Sequence, residues 1–365
     1  VSAASAQSSV SLSGLLDYSV GNGEITTQTG SSAATTVKAN NTGAQNVFST
    51  GQVSISGTED LGGGLKASFV INTGIAGASS FADRDTFVSL AGGFGNLRVG
   101  KFAPAAATGF HALSGSPSTA VGSIYGMTSS GTTAAARFGV TTTNFERNAN
   151  NVQYTSPSFS GLTLNANYGT NTSDSSLLLG KADTTQTGLS ATFVNGPLIV
   201  AAGINSKGLD AEAVSAVASD IESTPMVLGV VAKAATQIKS DLNWVGASYK
   251  MGAATLYASH VMREDKNTVA ATTLNDVNVT TLGVAVPMGA YTFNASTYTG
   301  KNDVTSSATD NTKLSGYQIS ARYALSKRTS AYALIGENQI KRDSGNTGGA
   351  AFKETVTAFG LIHSF

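Results

Sequence analysis

The imidazoles of this chain are His111, His260 and His363, and nothing in their spacing builds an active site. His260 directly follows Ser259, so on a strand the two side chains point to opposite faces and cannot pair. His363 shares a face with Phe359, Leu361 and Phe365, and His111 lies in a long Ala-, Ser-, Thr- and Gly-rich segment. A histidine without an oriented carboxylate lacks the partner that nucleophilic catalysis requires. The cysteine count is 0, which excludes disulfides and thiolate metal sites. Basic and acidic residues number 22 each, a formal net charge of +0, so no nucleic-acid partner is expected. No enzyme, cofactor or metal centre is expected.

The remaining chemistry is electrostatic. Arg147 has the parity of Asn151 and Gln153 and opposes Val152 and Tyr154, so in a strand it faces water. Arg98 has the parity of Asn96 and opposes Leu97 and Val99. Lys66 alternates with Leu65, Ala67 and Phe69, and Asp17 keeps the parity of Ser11 and Ser13. Asp17 is expected to pair with a base on the same wall. Lys101 has the parity of Val99 and reaches the polar face only through a bulge at Gly100 or a strand end. Arg84 has the parity of Val88 and Leu90 and needs a similar irregularity. Guanidinium and ammonium groups on a low-dielectric wall focus potential into an aqueous gap and draw in anions.

Strands must position these groups. Leu162, Leu164, Ala166 and Tyr168 alternate with Thr163, Asn165 and Asn167, and Tyr317, Ile319, Ala321 and Tyr323 with Gln318, Ser320 and Arg322. Such period-two patterns recur along the whole chain and fit no helix. Charged residues make up only 12%, against roughly a quarter in soluble domains, and 41 glycines with abundant Ser, Thr and Asn replace them. No segment approaches the ~20 apolar residues of a membrane helix. Short connections such as Gly92-Gly93-Phe94-Gly95 and Met251-Gly252-Ala253 alternate with long polar ones at 21–46, 170–183, 206–235, 264–275, 300–312 and 339–352. The fold expected is all-β: a transmembrane antiparallel up-and-down β-barrel of about 16 strands, with aromatic rims and a wet lumen. Residues 210–221 read as a short loop helix opened by Asp210. Ala4-Ser5-Ala6 has the form of a signal-peptidase site, so 1–6 are expected to be a leader remnant or flexible start and 7–365 a single barrel domain. The final stretch, Glu354 to Phe365, alternates to its last residue and is expected to pair with the first strand.

Four stretches resemble the trimeric general porins of Gram-negative outer membranes, closest to the betaproteobacterial branch. They are Ser8 to Asp17, Gly57-Thr58-Glu59-Asp60-Leu61-Gly62-Gly63-Gly64-Leu65-Lys66-Ala67, Arg84 to Lys101, and the strand ending at Phe365. The resemblance implies a homotrimer in outer-membrane lipid that passes small hydrophilic solutes and inorganic ions. It also implies that the third external loop, 103–146, folds inward as a constriction. Arg84, Lys101 and Arg147 match the family's basic constriction positions, and Gln52 stands where members commonly have arginine. The loop's usual acids have no counterpart between Ala103 and Phe145, so a mild anion preference is expected. A substrate-specific porin and a β-rich surface or adhesin protein are the alternatives.

Overall fold

The computed structural model describes residues 9–29, 32–45, 48–75, 81–113, 147–175, 180–211, 236–269, 272–303, 311–342 and 350–365. The expected leader remnant, most of 103–146, and 212–221 lie outside these residues. Asp210 and Ala211, expected to open a helix, instead end a strand.

The elements are β1 (Ser9–Thr29), β2 (Thr35–Gln45), β3 (Gln52–Gly62), β4 (Leu65–Gly74), β5 (Thr86–Gly92), β6 (Gly95–Phe102), α1 (Ala105–Leu113), β7 (Asn148–Thr155), β8 (Leu162–Ser175), β9 (Gly180–Asn195), β10 (Leu198–Ala211), β11 (Thr236–Met251), β12 (Ala254–Asn267), β13 (Thr272–Met288), β14 (Tyr291–Asp303), β15 (Thr312–Ala324), β16 (Thr329–Arg342) and β17 (Ala350–Ser364). From β3 onward each strand pairs antiparallel with the next, and β17 returns to β1. The seventeen strands make sixteen staves, because β3 pairs with β1 at Ser9–Leu15 and β2 pairs with it at Tyr18–Thr27. Among the described residues, the connections expected at 21–46, 170–183 and 264–275 are largely strand. Above the apolar band both faces meet water, so Thr, Asn and Asp replace the alternation while the backbone ladder continues.

The β1–β17 ladder closes the barrel and runs to the last residue. Gly14 N donates to Phe365 O at 2.9 Å and Phe365 N donates to Gly14 O at 3.0 Å. A Cβ on Gly14 would lie 2.2 Å from the Phe365 ring, so only glycine lets the terminal aromatic cover the seam. Outward positions are apolar and exposed, as at Leu12, Val88, Leu164, Leu282 and Ile319, whereas Asn151, Gln153, Asn205, Gln318 and Asn338 are buried on the inner face.

The inner face is not uniformly polar. Leu242, Trp244, Val261, Val277, Val279, Leu314, Ile340 and Phe352 form one buried cluster with Ala106, Ala107, Phe110 and Leu113 of α1. The expectation of a wet inner face therefore fails along this arc, because α1 folds inside the barrel and needs a dry bed. It rests against β8 to β12. Phe110 meets Trp244 edge-on at 5.5 Å between ring centroids. Two glycines make the seat. A Cβ on Gly203 would lie 2.6 Å from the Trp244 indole nitrogen, and one on Gly246 would lie 3.0 Å from Leu113 Cβ.

Asp17 holds the stave interrupted between β2 and β3. One carboxylate oxygen accepts from Phe48 N and Ser49 N, each at 2.7 Å, and the other from the Tyr332 hydroxyl at 2.8 Å. Phe48 then packs on Tyr332, Leu334 and Ile362. The base expected beside Asp17 is replaced by two amides and a phenol, because the residues 48–49 turn their N–H groups inward.

Two outcomes follow from these contacts. Asp17→Asn should lower stability by about 1–3 kcal/mol, since the buried amides lose a charged acceptor, read as a lower denaturant midpoint of the folded barrel in detergent. Trp244→Ala should unseat α1, giving noisier and larger single-channel currents with unchanged strand content by circular dichroism. Currents identical to those of the unsubstituted protein would mean that Trp244 does not hold α1.

Candidate functional site

The inner wall between β3 and β7 gathers the charged residues. Gln52 opens β3 on the inward parity of Ser54 and Ser56, and its Oε1 accepts from Arg84 Nε at 3.0 Å and from Asn72 Nδ2 at 3.2 Å. Arg84 precedes β5 in the turn that returns from β4. Its backbone N donates to Asn72 O at 3.2 Å, and Asn72 N donates to Asp85 O at 2.9 Å. That turn, outside the strand, supplies the irregularity that carries Arg84 to the inner wall. Asp83 ends the same turn, with its Oδ1 accepting from Gly74 N at 2.7 Å.

Arg147 stands at the foot of β7 and donates through Nε to Asp85 Oδ1 at 2.5 Å. Both side chains keep about a third of their surface exposed (31% and 34%), so water and salt screen the pair. Asp85 is the residue that sequence reasoning missed. Its signal was its place directly after Arg84, in the run Asp83-Arg84-Asp85, where alternating charges on a turn reach different partners.

Arg98 faces inward as its parity requires, but it is clamped beneath the root of α1. Its Nη2 donates to Gln153 Oε1 at 2.9 Å and to Ala103 O at 3.3 Å. Its guanidinium lies 4.0 Å from the Phe102 ring centroid and 5.3 Å from that of Phe87. Gln153 Oε1 also accepts from Ala105 N at 2.9 Å, satisfying one free amide of the first turn of α1. Arg98 and Gln153 thus fix where the inward segment leaves the wall. Ala106, Phe110 and Leu113, spaced by four and three, were the helical signal for α1 that the reading of 103–146 as a loop passed over.

Lys101 pairs with Thr86 of β5. The β6–β7 ladder shifts register between Gly100 and Phe102, and Gly100 has φ +143°, so the irregularity named as a condition for Lys101 is present beside it. A Cβ on Gly100 would lie 2.4 Å from Thr86 O, which keeps the site to glycine. Lys66 pairs with Asp60 and Ala91 next to the turn at Gly62–Gly64, so it faces the lumen at the rim, eight residues along the ladder from the Gln52 level. The structure therefore unites Gln52, Arg84 and Arg147 with Asp83 and Asp85. It leaves Arg98 under the loop root, Lys66 at the rim, and Asp17 at the β1–β16 side.

This assembly has charged groups on a wall facing an inward-folded segment, and among the described residues no group of three or more His, Cys, Asp or Glu could hold a metal. Comparison with known proteins agrees with a channel. Residues 2–343 match the family of Gram-negative porins. The structure is similar to the anion-selective porin from Comamonas acidovorans, with TM-score 0.68 and 23% identity, covering 98% of this chain and 100% of that one. It is also similar to OmpT of Vibrio cholerae (TM-score 0.62, 12% identity, 98% of each chain) and to Salmonella typhi OmpF in complex with daunomycin (TM-score 0.55, 14% identity, 98% and 97%). No curated protein sequence matches. A family match across nearly the whole sequence and a closed barrel with an inward loop lead to one conclusion: the chain belongs to the Gram-negative porins, outer-membrane barrels that form channels for passive diffusion.

Proposed function

We propose that this channel carries small hydrophilic solutes and inorganic ions with a mild preference for anions, works as a homotrimer, and performs no covalent chemistry. Arg84, Arg147 and Gln52, with Lys101 at the adjoining bulge, form the basic side of its constriction, and Lys66 adds positive charge at the rim. Arg98 acts as a positioning residue for the inward loop. Asp17 fastens the interrupted stave.

The observation that carries the sign of selectivity is a wall holding two arginines, together with the absence of any Asp or Glu from residues 103–145 of the sequence. The observation that limits its size is the Arg147–Asp85 contact, with Asp83 beside Arg84, which offsets part of the positive potential. Anion selectivity in the Comamonas acidovorans porin and the trimer form of Vibrio cholerae OmpT support the same reading.

A planar-bilayer reversal potential under a KCl gradient should show chloride favoured over potassium by a small factor. Asp85→Asn should enlarge that preference by releasing Arg147. Arg147→Glu should move it toward potassium. A cation-preferring unsubstituted channel would reject the charge assignment, and two variants with unchanged reversal potentials would remove this pair from the constriction. Chemical cross-linking of the detergent-extracted protein should end at three copies.

A further inference from the structure

The two ends of the barrel treat their charges differently. Toward the long connections, cations sit beside acids: Lys239 contacts Asp241 at 2.8 Å, Lys266 contacts Glu264 at 2.8 Å, and Lys353 contacts Glu337 at 3.2 Å. At the end of the short turns, which is the periplasmic end in this family's architecture, Lys66, Lys250 and Arg322 are exposed. None of the three has a side-chain hydrogen bond or ion pair among the described residues. All three lie on the inner parity. Lys250 shares it with Trp244 and Ser248, Arg322 with Gln318 and Ser320, and Lys66 with Asn72, which meets Gln52 across the ladder.

Their placement makes a ring. Each lies within two residues of the turn-side end of its strand, Lys66 on β4, Lys250 on β11 and Arg322 on β15. Counted from β1 with β3 as the second, these are the third, tenth and fourteenth of the sixteen staves, so the cations are spread around the mouth. The acids at this end do not cancel them. Asp60 stands opposite Lys66, but its Oδ1 accepts from Gly62 N at 2.9 Å, and Glu59 has the outward parity of Val53 and Ile55. Lys327 and Arg328, exposed in the turn between β15 and β16, add positive charge to the same rim. The constriction is well separated from this ring. From Gln52 to Asp60 the chain of β3 runs eight residues, which at ~3.3 Å each and a tilt of ~40° is roughly 20 Å along the axis. The screening length is about 10 Å at 0.1 M salt, so the two sets of charges act as separate fields there.

We propose that Lys66, Lys250 and Arg322 form a second anion-selecting station at the periplasmic mouth, and that this station makes the channel's selectivity directional. The inference rests on the porin reading but not on the sign assigned to the constriction. Unpaired cations at a low-dielectric rim concentrate small anions such as chloride, carboxylates and phosphates in the water they face. That field reaches about 10 Å when the mouth is bathed in 0.1 M salt but only about 3 Å in 1 M salt. Anion preference is therefore larger when the dilute solution is on the periplasmic side than when it is on the loop side. A second weak site also gives an anion leaving the constriction somewhere favourable to go, which multi-site conduction requires.

The test measures the reversal potential of the full-length channel in a planar bilayer under a KCl gradient, applied in both directions. Orientation is fixed with Ser158→Cys, an exposed turn-side position in a chain without other cysteines, by noting which compartment's thiol-reactive polyethylene glycol lowers the current. With about 1 M against 0.1 M KCl, the chloride-to-potassium permeability ratio should be about twofold or more higher when the dilute side is periplasmic. The variant K66Q/K250Q/R322Q should lose that difference. Arg147→Glu should shift the ratio in both directions and keep the difference. Equal ratios in the unsubstituted channel would overturn the proposal, and so would a triple variant that keeps the full difference. A channel that prefers potassium overall, yet shows the directional difference and loses it in the triple variant, would reject the constriction's charge assignment while supporting the mouth station. If the triple variant fails to fold, as judged by heat-modifiable migration, K250Q and R322Q are measured singly. Each should remove part of the difference, and the proposal is overturned if neither does.

Discussion

The structure depends on one requirement: in hydrocarbon every backbone N–H and C=O must find a partner within the protein. A sheet meets this only by closing, and here closure is the β1–β17 ladder, Leu15–Thr29 against Ala350–Ser364, finished by the reciprocal bonds between Gly14 and Phe365. The alternation of greasy and polar side chains follows from the same requirement, since each ladder residue commits one face to lipid and the other to the interior. The interrupted stave is tolerated because β1 is long enough to pair with β2 above and β3 below. Asp17 then satisfies the amides that the interruption turns inward.

Once the ring is closed, its interior is divided. Staves β3 to β7 are short and carry the polar cluster of Gln52, Arg84, Asp85 and Arg147. Staves β10 to β17 are longer and carry a buried apolar arc, with α1 seated on Trp244 between Gly203 and Gly246. The inward segment is thus pressed to one side by hydrophobic burial and tied at its root by Arg98 and Gln153. An aqueous path flanked by a charged wall is the consequence, and passive diffusion needs nothing further. The charges themselves are held by turn geometry and neighbouring amides rather than by deep burial, so they remain responsive to salt.

Several features were legible before any coordinates. Alternation at Leu162–Tyr168 and Tyr317–Tyr323 identified strands, the short and long connections identified an up-and-down ring, and the parity of Arg147 and Arg98 identified the inward face. The strand extensions beyond the membrane were not legible, because residues such as Thr35, Thr36, Val37 and Lys38 of β2 are exposed on both faces and lose the period-two signal. α1 was hidden for a different reason. Its Ala-rich residues suit many conformations, and its apolar side faces a bed made by strands far away in sequence.

Sequence alone decided that this chain would be a closed antiparallel barrel, because side-chain period, loop length and the closing terminal strand are local properties. Only the tertiary structure decided what each charge does. Arg147 meets Asp85 across 62 positions and Asp17 meets Tyr332 across 315, and no local pattern encodes contacts that exist only when the ring is shut. The same is true of Lys301, Lys313 and Lys341 on neighbouring strands: a register between strands, not a motif within one, brings them side by side.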